Sequence, residues 1–337
     1  MADPAGTERR NPRAVYALIL AGGASSRFWP ASGDEHPKYL LRVGEYTLLE
    51  LAWQRALATT DAERVYLVTG AMQAHLFPEA LPGLPRANLV IEPARRDTAA
   101  AIALGVRRIA AIDPEAWVMV LPADQLIEPV DALAAGVKRA RAAQDAREHI
   151  HVFGIQPARP EGGFGYIQPG PQVAPGVRAV SSFREKPGAD ADSMVQQGWL
   201  WNAGCFLFNV PAFEAELQRH MPAHSARLAG TGVSESDYEG LESVSIDYGL
   251  IEKAQNLRVV ELAAEFDDIG TWDALFKRLP QQGSEVQTVG GANNRGFGAE
   301  IVVVGESNLY VVVSDGKVLV LKQGHGHEVK KAGTPRQ

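Results

Sequence analysis

The sequence predicts a three-layer α/β/α fold around a mostly parallel sheet, with a small β-rich tail after it. Three observations predict this. Short apolar runs alternate with longer segments of helical periodicity through the first half of the chain, and strand–helix alternation implies parallel strands covered on both faces. The first apolar run ends in paired glycines. Gly22, Glu92 and Asp124 each stand just past the end of such a run, and sheets of this kind bind ligands beyond the carboxyl ends of their strands.

Taken in order, Val15–Leu20, Val65–Val68, Leu89–Ile91, Val118–Leu121 and His151–Ile155 read as strands. Leu48–Leu57, Thr98–Ile112 and Ala132–Ala143 carry apolar residues at helical spacing. Phe183–Pro187 reads as a strand end, and Cys205–Phe208 as a buried strand. A Gln-, Gly- and Asn-rich break covers 281–294, and beyond it Ile301–Val304, Leu309–Val313 and Val318–Leu321 are short β-branched runs. The predicted organisation is a disordered tail at 1–13, a large α/β domain at 14–280, a linker at 281–294 and a β-rich tail at 295–337.

Composition removes several function classes. With 337 residues and 46% hydrophobic content the chain can bury a large core. Its net charge of −7 and lack of a long basic run give nucleic acid or an anionic membrane no electrostatic purchase. No apolar stretch approaches a membrane span. The single cysteine, Cys205, allows no internal disulfide, and Met1–Arg13 lacks the apolar core of a signal peptide, so a cytoplasmic location is expected.

The loop after Leu20 carries most of the functional signal. Glycines let backbone N–H groups approach phosphates closely, and Arg27 and Lys38 add fixed positive charge. No Lys-Ser or Lys-Thr follows the turn, which excludes a P-loop. Pro30 and Pro37 interrupt the segment before any helix starts, unlike a dinucleotide-binding turn. The residues alone describe a long loop that wraps a nucleoside triphosphate, or else a glycine turn followed by surface charges.

LAGGASSRFWPASGDEHPKYLL resembles the signature of nucleotide-sugar pyrophosphorylases, in particular the mannose-1-phosphate guanylyltransferases. Further blocks match in order: EPARRDTAAAIAL, LPADQ, GGFGYI, FREKP, WNAGCFLF, SIDYGLIEK and FDDIGTWDAL. The resemblance implies a nucleotidyltransferase domain with a short β-helical tail, whose expected role is packing or homodimer formation rather than catalysis. It also implies transfer of GMP from GTP to mannose 1-phosphate with Mg²⁺.

Residue by residue, the resemblance places Ala21, Gly22, Gly23, Ala24, Ser25, Ser26, Arg27, Glu92, Asp97, Thr98, Pro122 and Ala123 around the nucleotide. Arg27 and Lys38 would neutralise its phosphates. Lys186 would grip the sugar phosphate, with Gly165, Tyr166, Glu185 and Asn202 around the sugar. Alternation in an extended segment would point Glu185 and Lys186 to opposite sides. Asp124, which the residues alone leave equally readable as a turn or helix cap, becomes a metal ligand. Asp268, rather than its neighbour Asp267, becomes the second.

Glu92 bears on base choice. Guanine presents two adjacent donors that a carboxylate can accept, whereas uracil and thymine would face it with carbonyls. A helix-entry role beside the dipole of the following helix is the competing reading. Three residues depart from the family pattern: Ser25 for a third glycine, Asp97 for Asn, and Gln125 for His. A serine held at positive φ would be strained by about 1–2 kcal/mol. The alternatives are another nucleotide or sugar 1-phosphate, or a nucleotide-sugar sensor without catalysis.

Overall fold

A computed structural model describes residues 14–23, 26–33, 35–230, 233–279 and 286–332. The positions expected of Ala24 and Ser25, and the tail expected at 1–13, lie outside the described residues.

The core is a nine-stranded sheet. In chain order its strands are β1 (Val15–Leu20), β2 (Val65–Gly70), β3 (Leu89–Glu92), β4 (Trp117–Pro122) and β5 (Ile150–Ile155). They continue as β6 (Gly165–Ala174), β7 (Val177–Glu185), β8 (Leu200–Asn209) and β9 (Leu257–Leu262). Across the sheet the order is β3-β2-β1-β4-β8-β5-β9-β7-β6, and β6 also pairs with β8. Only β7 and β8 run against the others, so the mostly parallel sheet is as predicted.

Alternation along β1 shows why the fold has three layers. Ala17 and Ile19 join the apolar cluster formed with α1 (Leu48–Leu57) and a helix at Asp131–Ala142. Tyr16 and Leu18 point the other way, into the cluster formed with Asp97–Ala110 and Val210–His220. Each fully buried residue such as Leu18 contributes about 1.5–3 kcal/mol relative to exposure. Helix α1 has the predicted bounds because a local capping box sets its start. The Glu50 amide donates to Thr47 Oγ1 at 3.1 Å, and the Thr47 amide to Glu50 Oε2 at 2.6 Å.

His151 is wholly buried in β5. Its Nδ1–H donates to the Leu207 carbonyl at 3.3 Å, and Nε2 has no partner. Burial pulls its pKa from 6.5 down to about 4, against the Leu207 hydrogen bond. The folded value lies below the unfolded one, so this contribution to stability is complete above about pH 6.5 and is lost as pH falls towards 4. The loss is on the order of 3 kcal/mol. His151→Phe is expected to flatten the decline; unfolding free energies measured by urea at pH 7 and pH 4.5 that fall equally in both proteins would refute it.

The tail is a β coil. Val286–Val289 pairs in parallel with Ile301–Val304, and Arg295–Phe297 with Leu309–Ser314. An Asn293–Asn308 hydrogen bond of 3.2 Å spans the same offset of 15 residues. Lys317–Lys322 closes it antiparallel. The linker expected at 281–294 is therefore corrected in its described part: Val286–Val289 is a strand, paired in parallel with Ile301–Val304.

Tyr310, Val312, Leu319, Leu321 and Val329 of the tail share an apolar cluster with Phe28, Leu126, Ile269, Trp272 and Phe276. Phe276 stacks on Tyr310 at 4.2 Å, and Phe28 meets Trp272 edge-on at 5.3 Å. The tail thus backs both the loop bearing Arg27 and the segment bearing Asp268.

Candidate active site

Main-chain ties at the strand ends build the glycine-turn end of the site. The Ala21 amide donates to the Val68 carbonyl at 2.9 Å and the Ala123 amide to Leu20 at 3.0 Å, so β1, β2 and β4 finish together. Pro122 lies opposite Leu20. Gly22 and Gly23 leave this edge exposed, and Gly23 at φ +109° has a conformation that suits glycine alone. Ser26–Phe28 then forms a single 3₁₀ turn, anchored by buried Phe28, and Arg27 donates to the Gly270 carbonyl at 3.5 Å.

A two-stranded ribbon brings the two acidic candidates together. Gln125–Glu128 pairs antiparallel with Glu265–Asp268, placing Asp268 opposite Gln125 and so beside Asp124. Lys38 forms an ion pair with Asp124. Alternation turns Asp267 to the other face, where it is buried and accepts from Arg278 Nε at 3.4 Å.

The charges at this end are mutually dependent. Burial opposes the charge of Lys38, but Asp124 and Asp268 outweigh it and hold its ammonium above the ordinary lysine value. Burial first, and Asp124 second, push Asp268 up to about 6, against Lys38 and Arg27. Two carboxylates that repel one another beside cations suit a divalent cation. Such an ion takes one or two carboxylates and completes its shell with substrate oxygens. No cage of three or more ligating side chains occurs among the described residues.

The second half of the sheet holds the other cluster. Strand β7 ends at Glu185, and Lys186 leaves it with φ +48°, its amide donating to the Phe164 carbonyl at 3.1 Å. That left-handed step overturns the alternation expected for the pair: Lys186 Nζ lies 3.1 Å from Glu185 Oε1. Asn202 Nδ2 donates to Asp247 Oδ1 at 3.2 Å, and the Gly204 amide to Asn202 Oδ1 at 3.1 Å. A Cβ on Gly165 would lie 2.6 Å from Glu185 Oε2 and 3.1 Å from Asn202 Cβ, so a side chain here would displace the Glu185 carboxylate and crowd Asn202.

Burial and the charge of Glu185 push Asp247 up to about 7, and burial raises Glu185 against the pull of Lys186. Burial likewise opposes the charge of Lys186, yet Glu185 keeps it above its ordinary value. The cluster offers acceptors for hydroxyls around one cation.

Two of the residues expected at the site also make contacts within the protein. Tyr166 is fully buried, its hydroxyl accepting Trp201 Nε1–H and the Glu161 amide, each at 3.0 Å. It occupies the strand face opposite Gly165, so its side chain supports the site from behind. Thr98 stitches the fold: Oγ1 accepts the Ile246 amide at 2.9 Å, and its own amide donates to Asp97 Oδ1 at 2.7 Å. Asp97 has φ +62°, a conformation Asp and Asn share more readily than other side chains, which accounts for the substitution.

A nucleotidyl transferase family model matches residues 16–284. The chain belongs to the nucleotidyl transferase family. This nucleotidyl transferase is 32% identical to the xanthan biosynthesis protein XanB of Xanthomonas campestris pv. campestris, over 94% of this chain and 72% of that one. It is 32% identical to a mannose-1-phosphate guanylyltransferase of Sinorhizobium fredii, over 94% of this chain and 66% of that one. Among solved structures, one named as a mannose-1-phosphate geranyltransferase of Thermus thermophilus superposes with a TM-score of 0.82 at 33% identity. That match covers 94% of this chain and 98% of the other.

Sequence reasoning missed two residues that the structure ties to candidate site residues, Asp247 to Asn202 and Tyr238 to Glu92. Asp247 stood within a quoted block, SIDYGLIEK, without a role. Tyr238 carried no signal at all: its hydroxyl donates to Glu92 Oε1 at 2.6 Å across 146 residues of sequence. No helix among the described residues is long and apolar enough to cross a membrane.

Proposed function

We propose that this nucleotidyl transferase moves GMP from GTP to α-D-mannose 1-phosphate. A sugar-phosphate oxygen attacks the α-phosphorus in line, the bond to the β-phosphate oxygen breaks, and pyrophosphate leaves with the electron pair. The nucleophile is already an anion, so the protein needs no Ser, Cys or His nucleophile; its task is to position two repelling anions and offset developing charge.

The observation that carries the reading is the pair of clusters along one edge of the sheet: Arg27, Lys38, Asp124 and Asp268 beside the glycine turn, and Glu185, Lys186, Asn202 and Asp247 beyond it. Arg27 and Lys38 would hold the triphosphate and meet the charge that gathers on the leaving pyrophosphate. Lys186 would hold the sugar phosphate, while Glu185, Asn202 and Asp247 receive sugar hydroxyls. Asp124 and Asp268 would hold Mg²⁺, which supplies further charge neutralisation at the phosphates. Glu92 would accept the two donors of guanine. The named relatives support the choice of sugar and base.

The test is pyrophosphate release with Mg²⁺, crossing four nucleoside triphosphates with mannose, glucose and N-acetylglucosamine 1-phosphates. The expected maximum is GTP with mannose 1-phosphate. A maximum at another pair would retain the chemistry and discard the substrate assignment; no release from any pair, in protein that binds GTP, would discard catalysis.

A further inference from the structure

Tyr238 lies fully buried on the short helix Glu235–Glu239. Ser234 caps that helix by accepting the Asp237 amide at 3.1 Å, and Arg96 Nε donates to the Glu239 carbonyl at 2.9 Å. The phenol is therefore held in place from both ends of its helix. Its hydroxyl donates to Glu92 Oε1 at 2.6 Å. The other carboxylate oxygen, Oε2, is turned to the glycine turn, 3.7 Å from where a Cβ on Gly22 would lie.

A carboxylate rotates readily about its last torsion, and when ionised it can only accept. A fixed phenol on Oε1 removes that rotation. It leaves Oε2, and the remaining lone pair of Oε1, available as a coplanar pair of acceptors. We infer that Tyr238 is a positioning residue for base selection, setting the plane of Glu92 against the N1–H and N2–H donors of guanine. This rests on the proposed reading of Glu92.

The same bond favours the acceptor form of the carboxylate. Burial raises the pKa of Glu92, the Tyr238 hydroxyl opposes it, and Asp97 and Arg95 act in opposite directions beyond. A protonated Glu92 would turn an O–H donor on guanine's own donors, a mismatch that costs affinity for the correct base.

Tyr238→Phe and Glu92→Gln, compared with the unaltered enzyme, test the inference with GTP, with ITP, which lacks the 2-amino group, and with ATP. Tyr238→Phe is expected to raise KM for GTP about tenfold and to narrow the preference for GTP over ITP. It is expected to leave kcat and the KM for mannose 1-phosphate within about twofold, since a positioning role acts on the base and not on the reacting phosphates. A general loss of structure would move all of these together.

A preserved GTP-to-ITP ratio in Tyr238→Phe, with a collapsed ratio in Glu92→Gln, overturns the positioning role and leaves the base reader in place. A preserved ratio in both overturns the base reader and this inference with it. If the phenylalanine variant folds poorly, Tyr238→Met fills the space flexibly without a donor and reads the same ratio.

Discussion

Asp124→Asn is expected to lower turnover on the order of a thousandfold while the fold persists. The change is isosteric, and Asp124 is partly exposed, so little packing is lost. What it removes is charge: Lys38 loses its ion-pair partner, and the proposed Mg²⁺ site would lose one of its two carboxylates. Asp268, freed of the repulsion that helps to raise it, should ionise more readily, but one carboxylate does not replace two. Pyrophosphate release measured across Mg²⁺ concentrations checks the assignment, and activity at low Mg²⁺ equal to that of the unaltered protein would refute it. Asp267→Asn is the informative control, because Asp267 faces Arg278 and should affect stability rather than the metal dependence.

Lys186→Ala should raise KM for mannose 1-phosphate by roughly tenfold to a hundredfold, as expected for a lost hydrogen bond between charged groups. KM for GTP should change little. The side chain is 55% exposed, so its removal costs little folding stability. It also deprives Glu185, whose burial already raises its pKa, of its nearest cation. Steady-state kinetics with each substrate varied in turn separate the two effects. Equal losses for both substrates would contradict the division of labour between the clusters.

How far the site was legible depended on how local its determinants are. Val15–Leu20 and Leu48–Leu57 have the predicted bounds, because an unbroken apolar run and a Thr-x-x-Glu capping box act within a few residues. Arg27, Lys38 and Asp124 follow strand ends, which the same periodicity places at one edge. The turn of Lys186 out of β7, the inward face of Tyr166 and the strand at Val286–Val289 were not legible in the same way. Each depends on which neighbouring strand supplies the partner carbonyl or the covering face.

By itself the sequence determined the alternating elements, the parallel direction of most strands and the order of charged residues along the loop after Leu20. These follow from periodicity, chirality of the crossovers and the special conformations of glycine and proline. Only the tertiary structure decided that Asp268 faces Asp124 across a ribbon, that Asp247 joins Glu185 and Asn202, and that Tyr238 holds Glu92. Strand register and long-range side-chain pairing come from packing distant segments into one core, and shifting a register by a single residue would turn Asp267 rather than Asp268 to the face that Asp124 shares.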